Sequence, residues 1–436
     1  MKKALIITYY WPPAGGGGVQ RWLKFAKYLP QHDWQPIIYT PENPDFPLLD
    51  EHLKADIPPE VEVLTLPIIE PYRIFRSLSG KKKDAVHAGF IAKSNKPSKL
   101  RSALGWTRGN LFIPDARMLW IKPSIKYLSE YLKSNPVDVI ISTGPPHSMH
   151  LIAHGVHKIT NIPWLADFRD PWVNMDNLEN FKLGQRAMKK HEKLEKMVMQ
   201  SATSIISVSF TETENYRKLT KSPVHTITNG FDIQDFKIKS APNKTKFVIG
   251  HYGTLGIDRD APALWDALQL LCENPEFKND LLVEFTGPTD GLILQNAIES
   301  ASQHNVKFIA YSSHEESIQS MQEASCLLLI LNNNGSEVGR IPGKIFEYMA
   351  SGRKILGLGI TTSDSSKLLL DSKSGKMFER DDIPGIMDFI LSQYQAWKSA
   401  EFSNEIPVQA MRFSRAELTS KLVEILDDLS PKTTKL

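Results

Sequence analysis

The stretch ALIITYYWPPAGGGGVQRWLKFAKYL, residues 4–29, decides the fold class. It opens with an apolar run that predicts a buried β-strand. It closes with apolar residues spaced as on the inner face of a helix, namely Val19, Trp22, Leu23, Ala26 and Leu29. Between the two runs stand four consecutive glycines, Gly15 to Gly18, where a simple turn needs one or two. A strand, a glycine-rich turn and a helix in this order predict the first unit of an open α/β sheet.

The same alternation continues along the chain, and most strand candidates are apolar throughout, as in parallel sheets buried on both faces. The candidates are residues 4–9, 35–40, 61–66, 137–143, 163–168, 203–209, 224–228, 247–253, 281–287, 306–311, 326–331 and 354–359. Amphipathic segments lie between them, such as the one carrying Ala261, Leu264, Trp265, Leu268 and Leu271. Two series of this kind predict two doubly wound, Rossmann-like α/β domains, which a chain of 436 residues is long enough to form.

The predicted first domain covers residues 1–240 and the second covers residues 246–405, with a polar linker at residues 233–247. Residues 406–436 are predicted as a closing helix, because Ser414 and Glu417 have the spacing of a capping box. Residues 72–108 interrupt the alternation of the first domain and are predicted to be an insertion of loops and short helices.

Composition narrows the class of protein. Cys272 and Cys326 lie in apolar surroundings without metal-ligand spacing, which is typical of buried thiols in a reducing compartment. The start MKKALIITYYW has too short an apolar core for a signal peptide, and no run reaches the roughly 18 apolar residues of a membrane span. We therefore expect a cytoplasmic protein.

The glycine loop is a candidate ligand site, because side-chain-free backbone at the end of a strand lets a phosphate or a sugar approach closely. Its spacing matches neither G-x-G-x-x-G nor a P-loop, so the fingerprints of dehydrogenases and NTPases are missing. The alternative is a loop that is flexible and binds nothing.

A second candidate is GSEVGRIPGKIFEYMASGRKILGLG, residues 335–359, which follows an apolar strand. Pro342 fits the first turn of a helix, and Lys344 and Glu347 then share one face near its start. Lys344 and the free N–H groups of the helix can hold phosphates, while Glu347 can accept two hydrogen bonds from a ribose diol. The alternative is a surface ion pair between Lys344 and Glu347.

Taken together, the chain resembles the GT-B glycosyltransferases of family 4, which transfer sugars from nucleotide sugars with retention, and it is most similar to the bacterial surface-polysaccharide type. The stretches that carry the resemblance span almost the whole chain and occur in family order: YYWPPAGGGGVQR, STGPPHSMHLIA with PWLADFRDPW, TITNGFD, HYGTLGIDRD, PGKIFEYMASGRKIL and FSRAELTSKLVEIL. The resemblance implies two Rossmann-like domains facing each other across a cleft, with the last helix crossing back to the first domain. It also implies transfer of a sugar to a glycan acceptor, often lipid-linked.

The resemblance assigns the donor-binding residues. Glu347 matches the glutamate that binds the nucleotide ribose, and Lys344 and Arg259 match the basic positions that hold the diphosphate. Lys344 is also counted as catalytic, because a fixed cation stabilises the departing diphosphate. The remaining expected donor contacts are Gly15, Gly16, Gly17, Gly18, Gly253, Thr254, Glu337, Arg340 and Pro342.

The acceptor side rests on two further stretches. His147 matches a histidine beside the transferred sugar, where it would orient the sugar, and its alternative is a packing or capping role. Asp167, Arg169 and Asp170 are expected to bind acceptor hydroxyls, and Asp170 can also deprotonate one. The alternative for these residues is an Asp–Arg lattice that orders the loop.

One family position departs from the pattern. Many relatives carry a second glutamate eight residues before the ribose-binding one, and here that position is Gly339. The nearest acid is Glu337, and backbone N–H groups between Val338 and Ile341 are the other candidates for holding the donor sugar. The D-x-D sequence Asp258–Asp260 resembles a metal motif of another transferase fold, but the GT-B fold needs no bound metal. We therefore expect neither a cofactor nor an essential metal.

Residues 72–108 hold ten Lys and Arg side chains against one Asp, which amounts to +9 in a chain of net charge +3. This segment is expected to hold the protein at an anionic inner membrane surface, aided by shallow apolar contact. The apolar candidates are Phe75, Leu78, Phe90, Ile91 and Trp106. The alternative is a solvated loop without a partner. Nucleic acid is not an expected partner, because no recognition element is visible.

Three rival functions stay open at this point. A GT-B epimerase would consume the nucleotide sugar without an acceptor, and a phosphorylase would need phosphate or pyridoxal chemistry for which no signature is present. A non-catalytic transferase-like protein would bind the nucleotide without turnover, and only the absent glutamate at Gly339 favours it.

Overall fold

The computed structural model describes residues 1–46, 48–70, 106–107, 109–173, 183–237, 239–333, 335, 337–401 and 405–430. The chain divides into two compact units. The first consists of Met1–Thr228 together with Thr419–Leu436, and the second is Asn229–Leu418. The domain boundaries expected from the sequence stay a prediction.

The first unit is built on a sheet of seven parallel strands in the order β3-β2-β1-β4-β5-β6-β7. Its strands are β1 (Lys2–Ile7), β2 (Trp34–Pro41), β3 (Glu62–Leu66), β4 (Val139–Gly144), β5 (Trp164–Phe168), β6 (Ser204–Ser207) and β7 (Val224–Thr226). Its helices are α1 (Gly17–Tyr28), α2 (Ile121–Ser134), α3 (Ser148–Thr160), α4 (Gln185–Ser201) and α5 (Phe210–Arg217).

Burial explains why these residues form central strands and an inner helix face. The last four residues of β1 and all of β4 and β5 are buried, as expected for parallel strands that are covered on both faces. The apolar positions predicted for α1 are fully buried, so this helix lies on the sheet with the face that its periodicity indicates.

The second unit has a sheet of six parallel strands in the order β10-β9-β8-β11-β12-β13. Its strands are β8 (Phe247–Tyr252), β9 (Leu281–Thr286), β10 (Val306–Ile309), β11 (Cys326–Ile330), β12 (Lys354–Leu358) and β13 (Gly375–Phe378). Its helices are α6 (Pro262–Leu271), α7 (Pro275–Asp280), α8 (Gly291–Ala301), α9 (His314–Glu323), α10 (Lys344–Ala350), α11 (Asp364–Asp371) and α12 (Ile383–Lys398).

The strand order determines where ligands can bind in each unit. In the first unit the order reverses between β1 and β4, and in the second it reverses between β8 and β11. Ligands of open α/β sheets bind outside the carboxyl ends of the strands at such a switch point. The glycine loop and His147 follow β1 and β4, while Gly253 to Arg259 and residues 331–343 follow β8 and β11. The topology therefore brings these residues to the switch points, whereas Asp167, Arg169 and Asp170 lie at the end of β5, one strand further along the first sheet.

The last helix, α13 (Arg415–Leu429), begins after Ser414, whose side chain accepts a hydrogen bond from the Glu417 N–H. Its end packs within the first unit. Asp427 forms an ion pair of 2.8 Å with Lys2 at the start of β1 and accepts a hydrogen bond from the Trp34 indole at the start of β2.

No helix in the described part of the chain combines the length and the apolarity that a bilayer crossing requires.

Candidate functional site

The glycine loop of the first unit needs glycine for different reasons at different positions. Gly16 precedes α1 with φ +89°, a conformation that favours glycine. A Cβ on Gly15 would meet Leu48 at 2.9 Å, and one on Gly18 would meet Arg169 at 3.1 Å. Gly17 alone of the four would meet nothing within 4 Å, so its lack of a side chain has no packing cause among the described residues. Donor contact by these glycines stays a prediction.

Arg169 follows β5 and joins two loops. Its guanidinium donates to the carbonyl of Gly18 at 2.8 Å and to the carbonyl of Pro145, and it lies over the ring of Tyr10. Burial lowers the pKa of this guanidinium, although Asp170 and Asp167 partly offset the effect. Because its donors point at backbone carbonyls, Arg169 fixes the glycine loop against the loop after β4. The expected contact with acceptor hydroxyls is not the role that this geometry gives it.

Asp167 is a correction to the expected acceptor site. Its side chain and that of Arg21 are fully buried, and their charged groups pair at 3.0 Å. The carboxylate also accepts hydrogen bonds from the indole of Trp22 at 2.7 Å and the hydroxyl of Thr143 at 2.8 Å. With its lone pairs occupied and no exposed surface, Asp167 cannot bind an acceptor. It anchors α1 to β4 and β5, a structural role in which its partner is Arg21 on α1 and not Arg169 of the loop. Asp170 is exposed, and its predicted role stays a prediction.

His147 lies directly before α3 and is buried, with 4% of its surface exposed. Its ring stacks on Trp172 with centroids 4.4 Å apart and planes 4° apart. Burial lowers the pKa of His147 well below its usual value, so the ring is neutral. Neither ring nitrogen has a hydrogen-bond partner among the described residues. A neutral ring with one free donor and one free acceptor is suited to orienting a hydroxyl group, not to carrying charge.

The environment of His147 includes residues that the sequence analysis did not single out. His150, one turn along α3, shares a hydrogen bond of 2.8 Å with Ser142, which also accepts one from the indole of Trp164. The Trp172 indole donates to His191 at 3.0 Å. Trp172 stands in the quoted stretch PWLADFRDPW. An aromatic residue straight after a predicted site loop is the signal that could have identified it.

In the second unit, α10 is the helix that carries Lys344 and Glu347. The helix begins at Lys344 with Gly343 as its N-cap, and the Pro342 carbonyl accepts a hydrogen bond from the Ile345 N–H at 3.1 Å, so Pro342 stands in the turn that leads into the helix. The helix has only 7 residues, and so short a run of peptide dipoles is a weak source of positive potential. Side chains must therefore supply part of any attraction for an anion, and contact of the first N–H groups with phosphate stays a prediction. Gly352, with φ +76°, follows the helix as expected for its end.

Lys344 is held at the end of β8. Its ammonium lies 3.1 Å from Nε2 of His251, which is 1% exposed. A Cβ on Gly253 would stand 3.1 Å from Nζ of Lys344, and Gly253 has φ +114°. Burial, followed by repulsion from Arg259, lowers the pKa of Lys344 to about 7, although Glu347 acts in the opposite direction. Lys344 is thus a cation whose charge is poorly compensated when no ligand is bound.

Arg259 lies in a short 3-10 turn, Ile257–Arg259, after β8. It donates to Oδ1 of Asn332 at 2.6 Å and to the carbonyl of Thr254 at 3.1 Å, and it has no ion pair within the described residues. Burial lowers the pKa of Arg259; Asp258 opposes this shift, whereas Arg340 adds to it. Arg259, Arg340 and Lys344 therefore raise the positive potential at one switch point.

Glu347 is half-buried on α10. Burial raises the pKa of its carboxyl group, an effect opposed by His314 and enhanced by Asp235. Within the described residues its carboxylate forms neither a hydrogen bond nor an ion pair with Lys344, so the surface ion pair considered above is not what the structure shows. A desolvated carboxylate with free lone pairs is suited to accept hydrogen bonds from a ligand.

Glu337 is buried, and its carboxylate lies 3.8 Å from the guanidinium of Arg380. Arg380 also donates to the carbonyls of Leu331 and Asn332, directly after β11. Glu337 and Arg380 thus stabilise the loop that supplies Asn332 to Arg259. This neighbourhood gives Glu337 a supporting role for the loop, and its expected contact with the donor sugar stays a prediction. Arg380 lies in a stretch that the sequence analysis left without a role.

In the D-x-D sequence, the carboxylate of Asp260 forms hydrogen bonds with neighbouring residues. Asp260 accepts hydrogen bonds from the Ala261 N–H and the Trp265 indole, both at the start of α6, and from the amide of Asn296. Within the described ranges, no three His, Cys, Asp or Glu side chains are placed to share a metal ion. The prediction that no metal is essential stays a prediction.

Comparison with known proteins gives the fold. No protein-family model and no curated protein matches the chain. Among solved structures, it is similar to sucrose-phosphate synthase from Thermosynechococcus elongatus, with a TM-score of 0.61 and 11% identity over 98% of this chain and 99% of that one. It is also similar to Anabaena HepE, solved in complex with UDP and glucose, with a TM-score of 0.59 and 16% identity over 98% and 100% of the two chains.

A third similar structure is the lipopolysaccharide outer core galactosyltransferase WaaB, with a TM-score of 0.58 and 13% identity over 98% and 99% of the two chains. The fold is GT-B. Two Rossmann-like units with parallel sheets, as expected from the sequence, are confirmed.

Proposed function

We propose that this protein is a glycosyltransferase, which moves a sugar from a nucleoside diphosphate sugar to a glycan acceptor with retention at the anomeric carbon. The observation that carries the proposal is the arrangement at the switch point of the second unit. Lys344 and Arg259 lie there without a carboxylate ion pair among the described residues, and Glu347 presents a carboxylate without a hydrogen bond. HepE, which has the same fold, was solved with UDP-glucose bound.

These residues divide the work of donor binding by charge. As the bond between the sugar and the diphosphate breaks, the leaving oxygen keeps the electron pair and negative charge grows on the phosphates. Lys344 and Arg259 stabilise that charge in a partly desolvated site, where electrostatic interactions are strong. Glu347 accepts hydrogen bonds from the two ribose hydroxyls and thereby fixes the position of the nucleotide in the site. No divalent ion takes part in this proposal.

The acceptor side is proposed from the first unit. His147, neutral and with both nitrogens free, orients the transferred sugar. The exposed Asp170 is proposed to accept the proton that the acceptor hydroxyl loses. Asp167 has no part in acceptor binding in this proposal, because its carboxylate is engaged within the unit, and the terminal nitrogens of Arg169 are engaged with backbone carbonyls.

Replacing Glu347 by Gln tests the donor site. A nucleoside diphosphate chosen by thermal shift from a panel of uridine, guanosine and adenosine forms is titrated by calorimetry. We expect Glu347→Gln to weaken binding about tenfold, since the amide has no negative charge and its NH2 group, which only donates, replaces one of the two acceptor oxygens. The 2′-deoxy form should bind the wild type about tenfold more weakly and the variant with little further loss, because both changes remove the same contact.

The matched control is Glu299→Gln on the exposed face of α8, where the carboxylate accepts a hydrogen bond from the Gln295 amide. It removes the same charge from the same unit and should bind the nucleotide as the wild type does. If Glu347→Gln also binds as the wild type does, the ribose contact is misplaced.

An epimerase is the second candidate, because a protein of Listeria monocytogenes described as a UDP-N-acetylglucosamine 2-epimerase is also similar, with a TM-score of 0.55 and 12% identity over 100% and 99% of the two chains. Conversion of the donor in the absence of any acceptor would favour the epimerase. Binding without any turnover would favour a non-catalytic protein.

We propose that the acceptor is lipid-linked and that residues 72–108 dock on an anionic membrane surface. Apart from residues 106 and 107, this segment lies outside the described residues, and the proposal rests on its charge of +9 in the sequence. We expect the protein to float with vesicles containing anionic lipid at low salt, because each basic residue near the surface contributes about 1 kcal/mol to binding. High salt screens this attraction and should release the protein. Neutral vesicles are the control. Absence of flotation at low salt would contradict the proposal.

A further inference from the structure

His251 occupies an unusual position for a polar residue. It is the fifth residue of β8, in the middle of the second sheet, and is 1% exposed. Its Nδ1 lies 3.0 Å from the carbonyl oxygen of Leu328 in β11. A carbonyl oxygen only accepts, so Nδ1 carries the proton and donates it. Burial, followed by repulsion from Lys344, lowers the pKa of His251 well below its usual value, which keeps the ring neutral.

The tautomer determines what the other ring nitrogen does. With the single proton on Nδ1, Nε2 has a free lone pair, and it faces Nζ of Lys344 at 3.1 Å. Lys344 therefore donates one of its three N–H groups to His251. Gly253 also lies close to the ammonium, because a Cβ there would stand 3.1 Å from Nζ. The ammonium is thereby fixed at the carboxyl end of β8, and its remaining two N–H groups stay available.

We infer that His251 is a positioning residue for the nucleoside diphosphate, which accepts a hydrogen bond from Lys344 and thereby directs the free N–H groups of the ammonium toward the phosphates. This inference rests on the proposed function, in which Lys344 binds the diphosphate. His251 does not touch the ligand. It acts through Lys344 and orders the cation before the anion arrives, which reduces the entropy lost on binding.

The charged groups around Lys344 come from each packed element. His251 faces it from β8, Arg259 from the turn after β8, and Glu347 from its own helix. Arg259 and His251 disfavour the charged lysine, and Glu347 favours it. A diphosphate adds negative charge at this point, so Lys344 should take up a proton as the ligand binds above neutral pH.

The test is a mutant cycle measured by calorimetric titration of the nucleoside diphosphate selected by thermal shift. His251→Asn keeps a donor for Leu328 but is too short to reach Lys344, and we expect about tenfold weaker binding. His251→Gln places an acceptor oxygen near Nζ and should bind within about twofold of the wild type. In a Lys344→Met background, His251→Asn should cause no further loss, because the two residues act as one unit.

The control is Tyr252→Phe, the next residue of the same strand. Its hydroxyl bonds Glu284 and the carbonyl of Ser320 and does not contact Lys344, so the variant removes a buried hydrogen bond without changing the site. Its affinity for the nucleotide should match that of the wild type. If the effects of His251→Asn and Lys344→Met are instead additive, His251 has only a structural role and the inference is wrong.

Two measurements on the wild type keep the inference testable if a His251 variant does not fold. Nitrogen NMR of the histidine ring should show the Nδ1–H tautomer, and the Nε2–H tautomer would overturn the inference. Calorimetry at pH 8 in two buffers of different ionisation enthalpy should show uptake of about one proton per nucleotide, since the phosphates, with a pKa of about 6, are already ionised.

The outcomes also separate this inference from the proposed function. If no nucleoside diphosphate binds the wild type, the proposed function fails and His251 has nothing to position. If one binds tightly but His251→Asn binds it equally well, the proposed function stands and the role of His251 is refuted.

Discussion

Replacing Lys344 by methionine should reduce turnover at least about 100-fold, because it removes one fixed positive charge from the developing diphosphate while keeping the length of the side chain. Lys344 is partly desolvated and lies 3.1 Å from Nε2 of His251, so the surroundings compensate poorly for the loss of its charge. The measurement is steady-state release of nucleoside diphosphate at saturating donor. The control is Lys278→Met on α7, an exposed lysine of the same unit, which should leave turnover unchanged.

The same residue predicts a pH dependence with a defined sign. The pKa of Lys344 is lowered to about 7 in the unliganded protein, so the ammonium form is complete below that pH and is lost as the pH rises through it. The diphosphate needs the charged form. We therefore expect kcat/KM to fall with rising pH above about 7, and this limb should be absent in Lys344→Met. A variant with wild-type kcat and an unchanged pH profile would show that Lys344 is not at the donor diphosphate.

Replacing Asp167 by alanine should destabilise the protein by about 3–5 kcal/mol, because it leaves the charge of Arg21 buried without a partner. Both side chains are fully buried, and the carboxylate also satisfies the Trp22 indole and the Thr143 hydroxyl. The free energy of unfolding is measured by urea denaturation of the first unit's transition. Asp170→Ala is the matched control, since it removes a carboxylate from the same loop at an exposed position, and it should be close to wild type in stability.

A double variant sharpens this prediction. Arg21→Met with Asp167→Leu removes both charges together and should be less destabilised than Asp167→Ala, since no unpaired charge remains in the interior. If Asp167→Ala unfolds at the wild-type urea concentration and instead alters only acceptor affinity, the anchoring role is wrong and the original acceptor assignment is restored.

The sheets could be predicted from the sequence because their strands are buried on both faces and read as continuous apolar runs. All the strand candidates correspond to strands, and within the described residues the structure adds one more, β13. That strand, Gly375–Phe378, has the sequence GKMF and lies at the edge of the second sheet. An edge strand of four residues with a glycine and a lysine has no apolar run, so its hydrophobicity could not reveal it.

The roles of site residues could be predicted from the sequence where they depend on a local motif. They could not be predicted where contacts with residues far away in the sequence determine the role. Lys344 and Glu347 share one helix, and their spacing along the chain already placed them together. The role of Asp167 depends on Arg21 and Trp22, almost 150 residues upstream, whose side chains occupy its lone pairs. No local pattern shows that pairing. His251 was included in an apolar strand candidate, and a histidine inside such a run was the available sign of a buried polar contact.

The proposed function depends on the second unit binding a nucleoside diphosphate through Lys344 and Glu347. A crystal structure of the complex with the nucleotide selected by thermal shift would show this binding. We expect phosphate oxygens about 3 Å from Nζ of Lys344 and both ribose hydroxyls at the same distance from the carboxylate of Glu347. If the nucleotide binds elsewhere and these two side chains make no contact with it, the proposed donor site is wrong.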